Sequence, residues 1–289
     1  MIDSQIDCIV RIHDSSRILE LERAIFSLVG QHHRPLRIIL ATQRFSTHDM
    51  AKISEIVAPM LEGQDAPELH IVNWEAATPR DSRTELLNLG LNAATGRYVA
   101  FLDYDDTLFP EAYALLLARL RASEAAIAFA TVRTVKADVY DDFVRVSDHV
   151  EAPFSGKGLL DLFKSNFCPI HSYLIDRKKI PPALLQFDTT LVWEEDYDLL
   201  LRICAYARSD FEALPHVIGD YFFKTDNSNS IWSDSTLSEG KLATYEKVSA
   251  NIEVRRRTTC ISGEVQKILF DATPRNQLTI REFLDEYSQ

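Results

Sequence analysis

The first 130 residues alternate short apolar runs with amphipathic helices, and that alternation constrains the fold more than any other feature. Asp7–Ile12 reads as a strand. Leu21, Ala24, Ile25, Leu28 and Val29 then recur at helical spacing up to Gly30. Leu36–Ala41 is nearly continuous apolar, as a strand buried on both faces requires. Ser46 or Thr47 can cap a helix presenting Met50, Ile53, Val57 and Met60. Leu69–Val72 and Ser82–Ala94 repeat the strand–helix pair, with Gly96 closing the helix. Tyr98–Leu102, a helix entered at Pro110 and a strand at Ala126–Val132 complete the series. Such a succession folds with right-handed crossovers into a mostly parallel sheet, covered by helices on both faces. Ligands bind beyond the carboxyl ends of the strands in sheets of this kind. His13 and Asp14, Thr42 and Gln43, Asn73–Glu75 and Asp103–Asp106 are therefore expected to converge.

Beyond Val132 the pattern loosens. Asp138–Asp148 reads as a loop or an edge hairpin, Gly158–Ser165 as a short helix and Ser172–Ile175 as a strand. Tyr197–Ala207 follows as a helix and Val217–Phe223 as a strand. From Leu237 the chain reads helical, with breaks near Gly263 and Pro274. The expected layout is one α/β domain over residues 1–235 with a helical C-terminal appendage over 236–289 packed on it.

Charge narrows the function. Lys and Arg total 31 against 43 Asp and Glu, a net −12, which disfavours nucleic acid as a partner. An acidic chain that binds a phosphorylated ligand must neutralise it locally. Scattered cysteines, Cys8, Cys168, Cys204 and Cys260, with no C-x-x-C pair fit reduced thiols in a cytoplasmic protein. The N-terminus has no basic region ahead of an apolar stretch. No apolar run approaches the roughly 20 residues of a membrane span. Arg255–Arg257 reads as a solvated helix face, with peripheral contact to the inner face of a membrane as the alternative.

The segment Phe101–Pro110, FLDYDDTLFP, ends an apolar strand in three acids. If the chain stays extended, Asp103 and Asp105 share a side. Like charges that close call for a cation, and hard oxygen donors suit Mg²⁺ or Mn²⁺. The bland alternative is that Asp106 or Thr107 caps the next helix.

Two families share this signature. Asp103, Asp105, Thr107 and Leu108 resemble the first motif of haloacid-dehalogenase-like phosphatases, with Asp220 and Asp226 loosely like their last one. That resemblance implies Asp103 as a phosphoryl-accepting nucleophile and Asp105 as acid/base. The flanks instead resemble the family 2 glycosyltransferases of the GT-A fold. RTELLNLGLNAATGRYVAFLDYDD, Arg83 to Asp106, is similar to their approach to the D-x-D motif. The S-x-x-x-Q at Ser27–Gln31 and FDTTLVWEEDYDLLLRI, Phe187 to Ile203, match further segments in the same order. Four strand–helix units precede Asp103, whereas the phosphatases place that motif on their first strand.

The glycosyltransferase resemblance implies metal held by Asp105 with help from Asp103, and Asp196 as the general base of an inverting transfer. Glu195 would orient it, and Asp198 would be structural. It implies donor contacts from His13, Thr42, Gln43, Arg83, Asp103, Tyr104, Asp106 and Lys224, with Arg80 also in reach of a diphosphate. The donor would be a nucleotide-diphosphate sugar, and the acceptor a saccharide or lipid-linked saccharide, in bacterial polysaccharide or glycoconjugate synthesis. Asn227–Ser230 would suit a loop that orders over the donor. Departures stand out. Arg11-Ile12-His13-Asp14 replaces the family's Pro-Thr-Tyr-Asn, and Ala41-Thr42-Gln43 replaces an acidic pair. They keep open a third reading, a nucleotide-sugar-binding relative without turnover.

Overall fold

The computed structural model describes residues 3–140, 143–150, 154–224, 239–270 and 273–287. Asp226, the Asn227–Ser230 stretch and the 235/236 boundary lie outside them. The elements run β1 (Ile6–Ile12), α1 (Ile18–Val29), β2 (Leu36–Gln43), α2 (Thr47–Val57), β3 (Glu68–Trp74), α3 (Arg83–Ala93) and β4 (Tyr98–Asp103). Then come β5 (Thr107–Leu108), α4 (Ala112–Ser123), β6 (Ile127–Val139), β7 (Val144–Val150), α5 (Leu159–Lys164), β8 (Tyr173–Asp176), α6 (Glu195–Tyr206) and β9 (Ser209–Lys224). Helices α7 (Glu239–Thr258), α8 (Gly263–Leu269) and α9 (Ile280–Tyr287) end the chain.

One sheet carries the order β3-β2-β1-β4-β8-β6-β9-β5, with β7 on β6. The first four strands are parallel, as strand–helix alternation demands. The next neighbour of β4 is β8, inserted antiparallel, and β8 in turn pairs antiparallel with β6. The result is a mixed α/β sheet with helices on both faces. In the Asp138–Asp148 stretch the described residues pair antiparallel between β6 and β7, Asp138 opposite Arg145 and Val139 opposite Val144. Strand β9 begins eight residues before the Val217 start that the sequence suggests. Its register against β6 shifts three times, and those bulges break the local alternation.

Period-two alternation sorts each strand's side chains between two cores. Ile6, Cys8, Val10 and Ile12 pack with Tyr98, Ala100 and Leu102 beneath α1, α2 and α4. Ile9, Val99 and Phe101 face the other way, toward α3, α6 and the C-terminal helices. Asp7 and Arg11 share that second face by the same alternation. Asp7 is fully buried there, gripping Arg37 at 2.7 Å and the backbone N–H groups of Thr95 and Gly96 at 2.6 and 2.7 Å. Gly96 thus belongs to this junction and does not close α3, which ends at Ala93. A Cβ on it would fall 2.9 Å from the Gln5 carbonyl oxygen.

Ser46 caps α2 through a reciprocal capping box with Asp49. Neither Asp106 nor Thr107 caps the helix after the acidic segment. The N-cap position of α4 is Glu111, and Thr107–Leu108 instead form β5 against β9. At that crossing a Cβ on Gly219 would meet the Thr107 carbonyl oxygen at 2.3 Å. Gly219→Ala is therefore expected to cost about 1–3 kcal/mol, read as a lowered urea midpoint at unchanged m.

Among the described residues no helix is long and apolar enough to cross a membrane. The arginines of α7 have internal partners. Arg255 meets Asp188 and Asp198, Arg256 reaches the Phe163 and Lys164 carbonyls and the Tyr197 hydroxyl, and Arg257 pairs with Glu253.

Candidate active site

A cleft of ≈ 290 Å³ opens at the carboxyl ends of β1 and β4, where parallel strands leave room for a ligand. Its floor is acidic. Strand β4 stops at Asp103 and the chain turns, with the Asp106 N–H donating to the Asp103 carbonyl at 3.1 Å. Extended alternation therefore does not group these acids; a reverse turn does. One carboxylate oxygen from each of Asp103, Asp105 and Asp106 lies within 4.8 Å of the others.

Each acid also has a fixed neighbour. Arg11, level with Asp103 in the β1–β4 register, holds that carboxylate with two N–H groups and reaches Glu195 with a third. Burial raises Asp103, but the Arg11 guanidinium outweighs it and keeps the carboxyl below its ordinary range. Asp105 faces Lys224 Nζ at 2.7 Å, and the same ammonium sits 3.2 Å from Glu20 and 5.2 Å from the Tyr104 ring centre. Burial would lower Lys224, yet Asp105 and Tyr104 hold it above its ordinary value. Asp106 is buried and accepts the Phe222 N–H at 2.8 Å. Burial first, then Asp105 and Asp103, push its carboxyl well up. Arg11 and Lys224 offset two of the three charges, and the clustered hard oxygens fit a divalent cation.

The opposite wall is the N-terminal turn of α6, and α3 sets its position. Thr84 and Asn88, one turn apart on α3, grip the loop ahead of α6. Thr84 donates to the Leu191 carbonyl at 2.8 Å, and Asn88 brackets Phe187 through its N–H and carbonyl at 2.8 and 2.9 Å. Glu194 takes a left-handed backbone, φ 57°, as the N-cap residue. Asp196 follows, its Oδ1 accepting the Tyr197 N–H at 2.7 Å and the Asn166 amide at 3.4 Å. Burial, with Glu195 adding repulsion, raises its carboxyl to about 7. A carboxyl poised there suits proton transfer near neutrality. Asp198 is structural: it is buried and paired with Arg202 and Arg255.

The cleft brings together His13, Arg83, Asp103, Tyr104, Asp105, Asp106, Glu195 and Asp196 among the residues expected from sequence. His13 meets Tyr104 edge-on at 5.7 Å, and burial, then Arg83, lowers its imidazole. Arg83 pairs with Asp81 at 2.8 Å on the rim. Asp14, Asn73–Glu75 and Arg80 do not line the cleft, and neither do Thr42, Gln43 and Lys224. Thr42 donates to Asn73 at 2.8 Å, Gln43 accepts the Ser82 N–H at 2.8 Å, and Lys224 lies buried beneath Asp105 and Glu20. Sequence reasoning passed over Arg11, Asn166 and His171 as site residues, and all three line the cleft. Arg11 carried a signal, since it replaces a family proline.

The comparisons fit this geometry. Residues 80–180 match the family described as Glycosyl transferase family 2, a stretch that holds α3, the acidic turn and β8. None of the curated proteins matches the chain by sequence. Among solved structures, S. aureus TarS residues 1–349 is similar at TM-score 0.61 and 14% identity over 92% of this chain and 69% of that one. The same TarS segment in complex with UDP-GlcNAc gives TM-score 0.61 and 15% identity over 92% and 71%. A longer TarS chain gives TM-score 0.60 at 14% identity, with 92% of this chain spanning 42% of it. Identities this low speak for the fold, and the matched segment speaks for the family against the phosphatase alternative. With a family 2 glycosyl transferase region at residues 80–180 and a GT-A fold built around it, the chain is a glycosyltransferase.

Proposed function

We propose that the chain moves a sugar from a nucleotide-diphosphate donor to an acceptor hydroxyl, with inversion, and that the step depends on a divalent cation. The observation that carries this reading is a single cleft with the aspartate triad on its floor and Asp196 on its wall. Asp105 and Asp103, joined by Asp106, would hold Mn²⁺ or Mg²⁺, which supplies Lewis-acid stabilisation to a departing diphosphate. Asp196 takes the acceptor proton as the new bond forms on the sugar face opposite the leaving group. Glu195, tied to Arg11, fixes the turn on which Asp196 stands. Arg83 and the His13–Tyr104 pair form the side where a nucleotide would lie. TarS structures with UDP and with UDP-GlcNAc support a nucleotide-sugar donor.

A saccharide or lipid-linked acceptor in bacterial polysaccharide or glycoconjugate synthesis, at the cytoplasmic side of a membrane, completes the proposal. So does the division into a catalytic domain, 1–235, and a helical appendage, 236–289. Thermal-shift measurements with UDP-, GDP- and dTDP-sugars, each with and without Mn²⁺, test the core of it. One donor should stabilise the protein only with metal, by about 2.7 kcal/mol at a hundredfold excess over Kd. Asp105→Ala should abolish the shift. No stabilisation by any donor would sink the reading.

A further inference from the structure

Just ahead of the proposed base, the wall of the cleft turns apolar and aromatic. Val192, Trp193 and Glu194 all line the cleft, immediately before Glu195 and Asp196. Val192 is 47% exposed. The Trp193 ring meets Tyr245 of α7, 4.7 Å between centres and 36° between planes, and Tyr245 is itself 49% exposed. Two large rings and a valine therefore stand partly uncovered at one rim.

Glu194 adds a polar element. Its side chain lines the cleft and makes no hydrogen bond or ion pair with any described residue. Its backbone takes the left-handed conformation that favours glycine, so this carboxylate is kept at a position where a side chain is disfavoured.

An aromatic ledge beside an unengaged carboxylate matches the two kinds of surface on a sugar ring. The C–H groups on one face of a pyranose are electron-poor and rest on the negative face of an aromatic ring. Its hydroxyls donate to a carboxylate in charge-assisted hydrogen bonds. Arg83 and the His13–Tyr104 pair already supply the nucleotide side, whereas the ledge belongs to the wall that carries Asp196. We infer that Trp193, Tyr245 and Glu194 form the acceptor subsite, that its occupant is a hexopyranose unit, and that stacking there delivers a hydroxyl of that ring to Asp196. The assignment rests on the proposed transfer and narrows its acceptor to a saccharide.

Rates of transfer by the full chain test this, with the donor that stabilises it, Mn²⁺, and p-nitrophenyl α- and β-glycosides of glucose, galactose, mannose and N-acetylglucosamine as acceptors. At least one glycoside should be used. Tyr245→Leu, which keeps apolar bulk and loses the ring, should raise the acceptor KM about fivefold to tenfold with kcat little changed, while Tyr245→Phe keeps the wild-type KM. Glu194→Gln should raise that KM about tenfold, because a charged hydrogen-bond partner is lost. Metal-dependent stabilisation by donor should persist in all three, whereas a merely structural role would disturb it. Thermal melts report folding, and if Tyr245→Leu does not fold, Glu194→Gln decides. An unchanged acceptor KM in folded Tyr245→Leu or in Glu194→Gln, or no transfer to any glycoside by a chain that binds donor, overturns the subsite and leaves the donor reading in place. A chain that no donor stabilises with metal overturns both.

Discussion

Asp196→Asn is expected to lower kcat by about 10²–10⁴-fold while the metal-dependent stabilisation by donor persists. The amide keeps the size of the carboxyl, so the contacts to Tyr197 and Asn166 have a near-isosteric replacement. What it loses is the capacity to accept the acceptor's proton. In the wild type the base must be ionised, and its carboxyl is raised from about 4 to about 7. Log kcat should therefore climb with unit slope below pH 7 and level off above it. Glu195→Gln, which removes the neighbouring charge that raises Asp196, should move that midpoint down.

Linkage fixes the sign of the stability change. A carboxyl raised on folding contributes stability in acid, which is lost as pH rises from about 4 through about 7. Asp196→Asn escapes that loss and should melt higher than the wild type at pH 8. A flat kcat profile between pH 5.5 and 8.5, or an Asn variant with wild-type turnover, would remove Asp196 from the reaction.

The largest stability effect is expected at Arg11. Its guanidinium lies between Asp103 and Glu195 with only 13% of the side chain exposed, and although burial pulls it down, the two carboxylates raise it well above its ordinary value. Arg11→Ala leaves two acids facing each other without a counter-ion, a loss of about 3–5 kcal/mol on the scale of broken buried pairs. Adding Glu195→Gln to Arg11→Ala should recover part of it, because one of the stranded charges is gone. Arg11 also lowers Asp196, so the acid limb of the kcat profile should move up in Arg11→Ala and stay near its place in Arg11→Lys. Denaturant melts of the four proteins measure the coupling. Strict additivity of Arg11→Ala and Glu195→Gln would show that the bridge contributes nothing.

Local periodicity made the parallel half of the sheet legible, because each strand–helix pair carries its own pattern over a dozen residues. The Asp103–Asp106 cluster and the Glu194–Asp196 turn were legible as motifs. Their meeting was not, since Arg11 reaches Glu195 across a sequence separation of 184 residues. Nor could spacing alone show that β8 slips between β4 and β6, the insertion that sets His171 beside Asp106. Thr42 and Gln43 follow a strand as expected, yet their side chains satisfy the loop from Asn73 to Ser82. Topology names the end of the sheet where a ligand binds. Which side chains are left over for it depends on what the neighbouring loops need.

The pairing of α7 with α6 has a practical edge. Arg255 is a counter-ion of the buried Asp198, and Arg256 holds the Tyr197 hydroxyl at 2.9 Å, two positions and one position after the proposed base. Shortening the gene before Glu239 to obtain a minimal enzyme would strip both arginines from the helix that presents Asp196. Helix α7 acts as a buttress, and a designer who swaps it for another segment would be retuning catalysis from behind.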